Sequence, residues 1–257
     1  MNYIFSQRHN GFANSLWIWQ ICYELSIIND MKVAIYKNHY PETRHLNFPN
    51  TIILEEIPKN LTLINSNEIE KNNFILPKKN IQLSCGWKFN TKFQNSGNTQ
   101  PVSKIKFHDD KLNIEIENFC KDKIGIHFRR GDHNNTEHRR KNVKVPDSWY
   151  KKQCELYKDY NFYLATDSKD EKNECKIFND YNITRYDYFI NKKYDNVNCH
   201  TNKNYNILNK LNDDLIKIKC IDLFALSRCI KIIGCGTSTF TITASWMGNY
   251  KEMIIGR

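Results

Sequence analysis

Apolar residues occur in short blocks between polar stretches rich in lysine and asparagine, and the spacing inside the blocks changes along the chain. Tyr3-Ile4-Phe5 reads as a short strand, followed by the turn Gln7-Arg8-His9-Asn10-Gly11. Asn14 to Ile28 is apolar with few breakers, which predicts a buried helix. Met31 to Tyr36 (MKVAIY) reads as the next strand. Strand, turn, helix and strand in this order open an α/β domain. Pro41, Pro49, Pro58 and Pro77 then cut the pattern into short apolar pieces such as TIILEEI, and Ile81 to Trp87 reads as one more strand. Residues 90–104 are polar and carry Gly97 and Pro101, as expected of a linker near a domain boundary.

A regular alternation resumes at Asp109. Leu112, Ile116 and Phe119 fall at helical spacing, and Ile124 to Phe128 reads as a strand. Pro146-Asp147-Ser148 announces a helix with Tyr150, Cys154 and Tyr157 on one face. A strand at Phe162–Ala165, a helix at Lys169–Phe178 and a strand at Ile183–Tyr186 follow. After a polar insert at 190–212, a helix from Asp213 to Cys229 leads into a strand at Ile230–Gly234 and the turn Gly236-Thr237-Ser238-Thr239. Such a β/α series predicts a parallel sheet.

The chain of 257 residues has 40% hydrophobic residues, enough for one large or two modest cores, and a net charge of +10. The charge suits an anionic partner, but the lysines are spread along the whole chain and read mainly as solvated surface. Nine cysteines at irregular spacing, with no CxxC pair, read as reduced thiols rather than a disulfide framework or zinc site. No signal-peptide core and no apolar run long enough for a membrane span is present, so a cytoplasmic protein is expected, bacterial or viral in a host cytosol.

Ligands of open α/β sheets bind outside the carboxyl ends of the strands. Three predicted strand ends are rich in chemistry. HFRRGD (127–132) carries two guanidiniums that can grip a diphosphate, or close the strand with an Arg–Asp pair. Ala165-Thr166-Asp167-Ser168 can read a base or ribose, or cap the following helix. Gly234-Cys235-Gly236-Thr237-Ser238-Thr239 can bind phosphate with free amides and hydroxyls, or serve as an ordinary strand–turn–helix. Asp222 shares a helical face with Ile218, Ala225 and Cys229. A carboxylate in an apolar stripe needs a partner: a lysine or arginine of the fold, or the N1–H and N2 edge of a guanine.

HFRRGD, FYLATD (162–167) and DLFALSRCIKIIGCGTST (222–239), in this order, resemble the three motifs of the GDP-fucose fucosyltransferases. That superfamily spans the α1,2- and α1,6-enzymes and the protein O-fucosyltransferases. The first motif looks most like the α1,6 group, with Glu137 at the family's spacing. GFANSLWIWQICYEL (11–25) is similar to the glycine-rich loop and helix that open the N-terminal domain, and SCGWKF (84–89) to a segment before the linker. Here Gly-Asp-His-Asn follows the arginines where the α1,6 group has Thr-Asp-Lys, and Thr-Ser replaces Ser-Ser.

The resemblance implies a GT-B-like α/β fold of two facing Rossmann-like domains, residues 1–105 on the acceptor side and 106–257 binding the donor. It implies inversion at the anomeric carbon, GDP-fucose as donor, a glycan acceptor and no metal or other cofactor. Carried over, Arg130 with Arg129 holds the diphosphate, Asp222 and the Asp167 region read guanine, and Thr237, Ser238 and Thr239 contact phosphate. His127, which alternatively only orients the strand end, joins the donor side with Gly11 and Asn14. Glu137 or Asp132 is the candidate base. The chemistry is coherent by itself, since inverting transfer needs a base on the acceptor and stabilisation of the departing diphosphate. The same scaffold could serve another nucleotide sugar. A nucleic-acid-binding role would want aromatics interleaved with basic residues on one face, a pattern absent here, so no nucleic acid is expected.

Overall fold

The computed structural model describes residues 2–7, 11–83, 101–130, 145–168, 171–190, 213–236, 238–249 and 251–256. The described chain divides into two compact units, within 1–105 and within 106–257, each built on a five-stranded sheet whose strands are all parallel.

The first unit runs β1 (Tyr3–Phe5), α1 (Phe12–Ile28), β2 (Lys32–Tyr36), β3 (Leu46–Asn47), β4 (Thr51–Leu54), β5 (Thr62–Ile64), α2 (Ser66–Lys71) and β6 (Ile81–Leu83). Its sheet has the order β4-β2-β1-β6-β5, so the direction of winding reverses beside β1. In α1, Leu16, Trp19, Cys22 and Leu25 are fully buried, as are residues on the other sides of the helix. That explains an apolar run with no single stripe. Trp19 Nε1 donates to Thr51 Oγ1 at 3.0 Å and ties the helix to the start of β4.

The second unit runs β7 (Lys106–Phe107), α3 (Asp110–Cys120), β8 (Lys123–Phe128), α4 (Asp147–Leu156), β9 (Asn161–Thr166), α5 (Glu171–Glu174), β10 (Ile183–Thr184), α6 (Asp187–Ile190), α7 (Asp213–Arg228), β11 (Lys231–Cys235), α8 (Thr239–Met247) and β12 (Glu252–Gly256). The sheet order is β10-β9-β8-β11-β12, with β8 at the centre. Its register sets His127 beside Ala165 of β9, and Ile126 beside Ile233 of β11. Asp109 caps α3, accepting from the amides of Lys111 (3.0 Å) and Leu112 (3.2 Å). Asp213 and Asp214 stand in the first turn of α7, where they complement the helix dipole. Gly125 lets α7 lie close to β8, because a Cβ there would meet Leu226 Cδ2 at 2.8 Å.

The expected mixed α/β class with two parallel sheets is the observed one. Three details differ. The helix expected at 169–178 is one α turn, Glu171–Glu174, continued by a 3-10 turn at Cys175–Phe178, because the segment is too short and polar to bury more than Phe178. The strand expected at Ile183–Tyr186 keeps two ladder residues. β12, a short edge strand, was not expected at all. The described cysteines are free thiols, and all except Cys175 are buried. Among the described residues no helix is long and apolar enough to cross a membrane.

One charged group of α1 lacks a complement. Glu24 Oε2 is buried without a hydrogen-bond partner among the described residues. Burial pushes its carboxyl up from 4.5 to about 7. Between those values the folded state holds a proton that the unfolded chain has lost, so stability falls as pH rises through that window and stays lowered above it. Glu24→Gln is expected to raise Tm near neutral and alkaline pH and to leave it unchanged near the lower end of the window. Thermal scans across that range check this, and parallel wild-type and variant curves would refute it.

Candidate functional site

The site begins where β8 ends. Successive strand residues point to opposite faces. Phe128 and Arg130 go to the α4 side, and His127 and Arg129 go to the α8 side. The two adjacent arginines therefore have different surroundings.

Arg130 turns inward and is 1% exposed. Its guanidinium carbon lies 3.8 Å from the Phe128 ring centroid and 5.5 Å from that of Tyr150. Nη1 donates to the Arg129 carbonyl at 3.1 Å, and Nη2 pairs with the carboxylate of Asp147 at the start of α4. Arg130, expected with Arg129 to hold a diphosphate, here gives Nη1 and Nη2 to groups of the fold. Arg129 is the arginine on the other face. It is partly buried, and its Nη1 donates to Ser238 Oγ at 3.3 Å.

Ser238 is the N-cap residue of α8, but its side chain makes no capping bond to the helix amides and reaches Arg129 instead. Thr239 opens the helix. This meeting joins the ends of β8 and β11, the neighbours between which the strand order reverses. Such a switch point is where open α/β sheets form their ligand crevice.

His127 is buried, with Nδ1 2.7 Å from Thr241 Oγ1 on α8 and its ring beside Phe240. Its carbonyl accepts from the Tyr150 hydroxyl at 3.0 Å. Burial pushes that phenol well up, so it stays a neutral donor. The glycines of the third motif serve packing. A Cβ on Gly234 would meet Thr241 Oγ1 and Cγ2 at 2.8 Å, and one on Gly236 would meet Ile255 Cγ2 at 2.2 Å.

At the end of β9, Thr166 Oγ1 donates to the Phe128 carbonyl at 2.7 Å, and Asp167 Oδ1 accepts the Arg130 amide at 2.6 Å. Ser168 bonds Glu174 and takes its amide to Thr166 Oγ1. The Asp167 turn thus fastens two strand ends together. Asp222 is buried on α7, where the Tyr163 hydroxyl donates to its Oδ1 at 2.7 Å. Burial, then the charge of Asp222, hold the Tyr163 phenol far above its usual range.

Gly11 and Asn14 belong to the first unit. Gly11 is the N-cap of α1, and a Cβ there would meet nothing within 4 Å. Its carbonyl accepts the Ser15 hydroxyl at 3.1 Å, while the Tyr40 hydroxyl contacts both Ser6 Oγ (2.9 Å) and the Ser15 carbonyl. Asn14 Oδ1 is buried without a partner among the described residues. Asp132, Glu137 and Thr237 lie outside the described residues. Among the described residues no cluster of three or more His, Cys, Asp or Glu could hold a metal ion.

The fold has solved counterparts. NodZ α1,6-fucosyltransferase co-crystallised with GDP superposes with a TM-score of 0.55 at 13% identity, covering 95% of this chain and 91% of that one. NodZ soaked with GDP-fucose gives 0.54 at 13% identity, with 96% and 92% covered. NodZ from Bradyrhizobium gives 0.54 at 12%, with 95% and 92% covered. The chain shares the GT-B-like fold of these enzymes. No protein-family model matches the sequence, and no curated protein matches it.

Sequence reasoning missed Asp147, Tyr150, Tyr163 and Thr241. Tyr150 carried a signal in its place on the buried face of α4, and Asp147 was read only as part of a helix start. Tyr163 and Thr241 are bonded across elements far apart in sequence. Tyr163→Phe removes one hydroxyl at nearly constant volume and leaves the buried Asp222 without that donor. A loss of roughly 1–3 kcal/mol is expected, read as a lower urea midpoint at unchanged slope. Equal midpoints would show that the bond contributes nothing.

Proposed function

We propose that the chain is an inverting glycosyltransferase that moves fucose from GDP-fucose to a glycan hydroxyl without a metal ion. The observation that carries this reading is the Arg129–Ser238 contact at 3.3 Å, at the switch point and beside the N-terminus of α8. A guanidinium, a hydroxyl and the free amides of a helix start are the complement of a diphosphate.

In this reading Arg129 neutralises the charge that grows on the departing diphosphate, the task a metal ion performs in other transferases. Ser238 and Thr239, with Thr237, line the phosphate side. His127, fixed by Thr241, shapes the edge of the pocket. Asp222, oriented by Tyr163, is the acceptor for the guanine N1–H and N2 edge, with the Asp167 turn beside the ribose. The first unit, with Gly11 and Asn14 at the start of α1, carries the glycan acceptor. Glu137 or Asp132 removes the acceptor proton. The free thiols among the described cysteines support a cytosolic setting.

Thermal shift with GDP, UDP, CMP and ADP, with and without EDTA, tests the donor class. GDP should stabilise the protein, and EDTA should leave both the shift and the transfer rate unchanged. A preference for UDP would point to another nucleotide sugar on the same scaffold, and activity restored only by Mg²⁺ or Mn²⁺ would overturn metal independence.

Arg129→Ala should weaken GDP binding by roughly ten- to a hundredfold, the loss of one charge-assisted contact or slightly more. Arg129→Lys should restore little, because an ammonium lacks the planar fork. Glu137→Gln should leave GDP affinity unchanged and cut turnover by roughly 10²–10⁴. An unaffected turnover would pass the role to Asp132.

A further inference from the structure

A guanidinium as deeply buried as that of Arg130 is costly unless it is paired and its donors are used. Here the donors serve a specific end. The peptide unit joining Arg129 to Arg130 is held on both edges. Its carbonyl oxygen accepts Arg130 Nη1 at 3.1 Å, and its N–H donates to Asp167 Oδ1 at 2.6 Å. The orientation of that peptide plane sets the backbone torsion of Arg129, and hence the direction in which the Arg129 side chain leaves the strand end. The Phe128 and Tyr150 rings hold the Arg130 guanidinium from one side. Asp147 draws its other amino group outward from the start of α4, with a side chain 52% exposed.

We propose that Asp147 and Arg130 form a positioning pair: the ion pair holds the Arg129–Arg130 peptide in the one orientation that aims Arg129 at Ser238 and at the donor diphosphate. Neither residue touches the nucleotide. The inference rests on the reading of Arg129 as the diphosphate ligand and adds a residue, Asp147, that no sequence motif includes. Asp147 acts at one remove through Arg130, and its effect on ligand affinity passes entirely through Arg129.

The test uses the full chain and two ligands, GDP and inorganic pyrophosphate, measured by calorimetry on wild type, Asp147→Asn, Arg129→Ala and the double variant, with Tm recorded for each. Asp147 is half exposed and on a helix end, so Asp147→Asn should fold. It should weaken binding of both ligands roughly three- to tenfold, while in the Arg129→Ala background it should add nothing. Asp147→Glu, which keeps the carboxylate, should recover part of the loss. If Asp147→Asn lowers Tm but leaves both affinities at wild-type values, the pair is merely structural and the inference falls while the proposed function stands. If its loss adds in full to that of Arg129→Ala, Arg130 meets the ligand itself and the inference again falls. Wild-type protein that binds pyrophosphate but not GDP sinks the guanine-nucleotide reading alone, and the pyrophosphate arm still decides the positioning role. Wild-type protein that binds neither overturns both.

Discussion

The two faces of β8 are the constraint on which the candidate site depends. A central strand of a parallel sheet is buried on both sides, and its side chains must alternate between them. When such a strand ends on two consecutive arginines, one must follow Phe128 into the α4 side and the other must follow His127 toward α8. The inward arginine becomes part of the core and needs aromatic faces and a carboxylate. The other stands beside a helix N-terminus. The adjacent charges repel less than their spacing in sequence suggests, since the sheet separates them and Asp147 neutralises one.

The winding of the sheet supplies the second half of the arrangement. With the order β10-β9-β8-β11-β12, the connection after β8 leads to one side of the sheet and the strand on its other flank, β11, arrives from α7. Among the described residues, side chains link the ends of β8 and β11: Arg129 with Ser238, and His127 with Thr241. The two glycines of the third motif belong to the same logic. They bring β11 close to α8 and β12, so that Thr241 comes within reach of His127.

The second unit was more legible because β8, β9 and β11 are long, buried and apolar, and α3 and α4 open on Asp109 and Pro146-Asp147. The first unit was less legible. β4 and β5 are short, with half-exposed residues between prolines, so neither periodicity nor length marks them. At the site, types and positions were legible, but roles were not. The HFRRGD motif assigned both arginines to a ligand, while strand alternation, equally readable, places them on different faces. The Tyr163–Asp222 bond was hidden because it joins residues 59 positions apart, and a tyrosine inside an apolar strand reads as simple packing.

Glu24, half-buried with one buried oxygen, and the buried Asp222 show how differently two carboxylates can be treated within one chain. Asp222 has a hydroxyl donor 2.7 Å away, so its polarity is built into the fold. Glu24 has an oxygen with no donor among the described residues and a carboxyl raised to about 7, so near neutral pH it sits between protonated and ionised. A satisfied buried acid rigidifies its surroundings, whereas an unsatisfied one taxes stability in proportion to its charge. Neither difference follows from the residue type. Both carboxylates lie on largely apolar helices, and only the element packed opposite decides: β9 brings a tyrosine to Asp222. Electrostatics in this protein is therefore a property of the contacts between elements, and the separate fates of Arg129 and Arg130 follow the same rule.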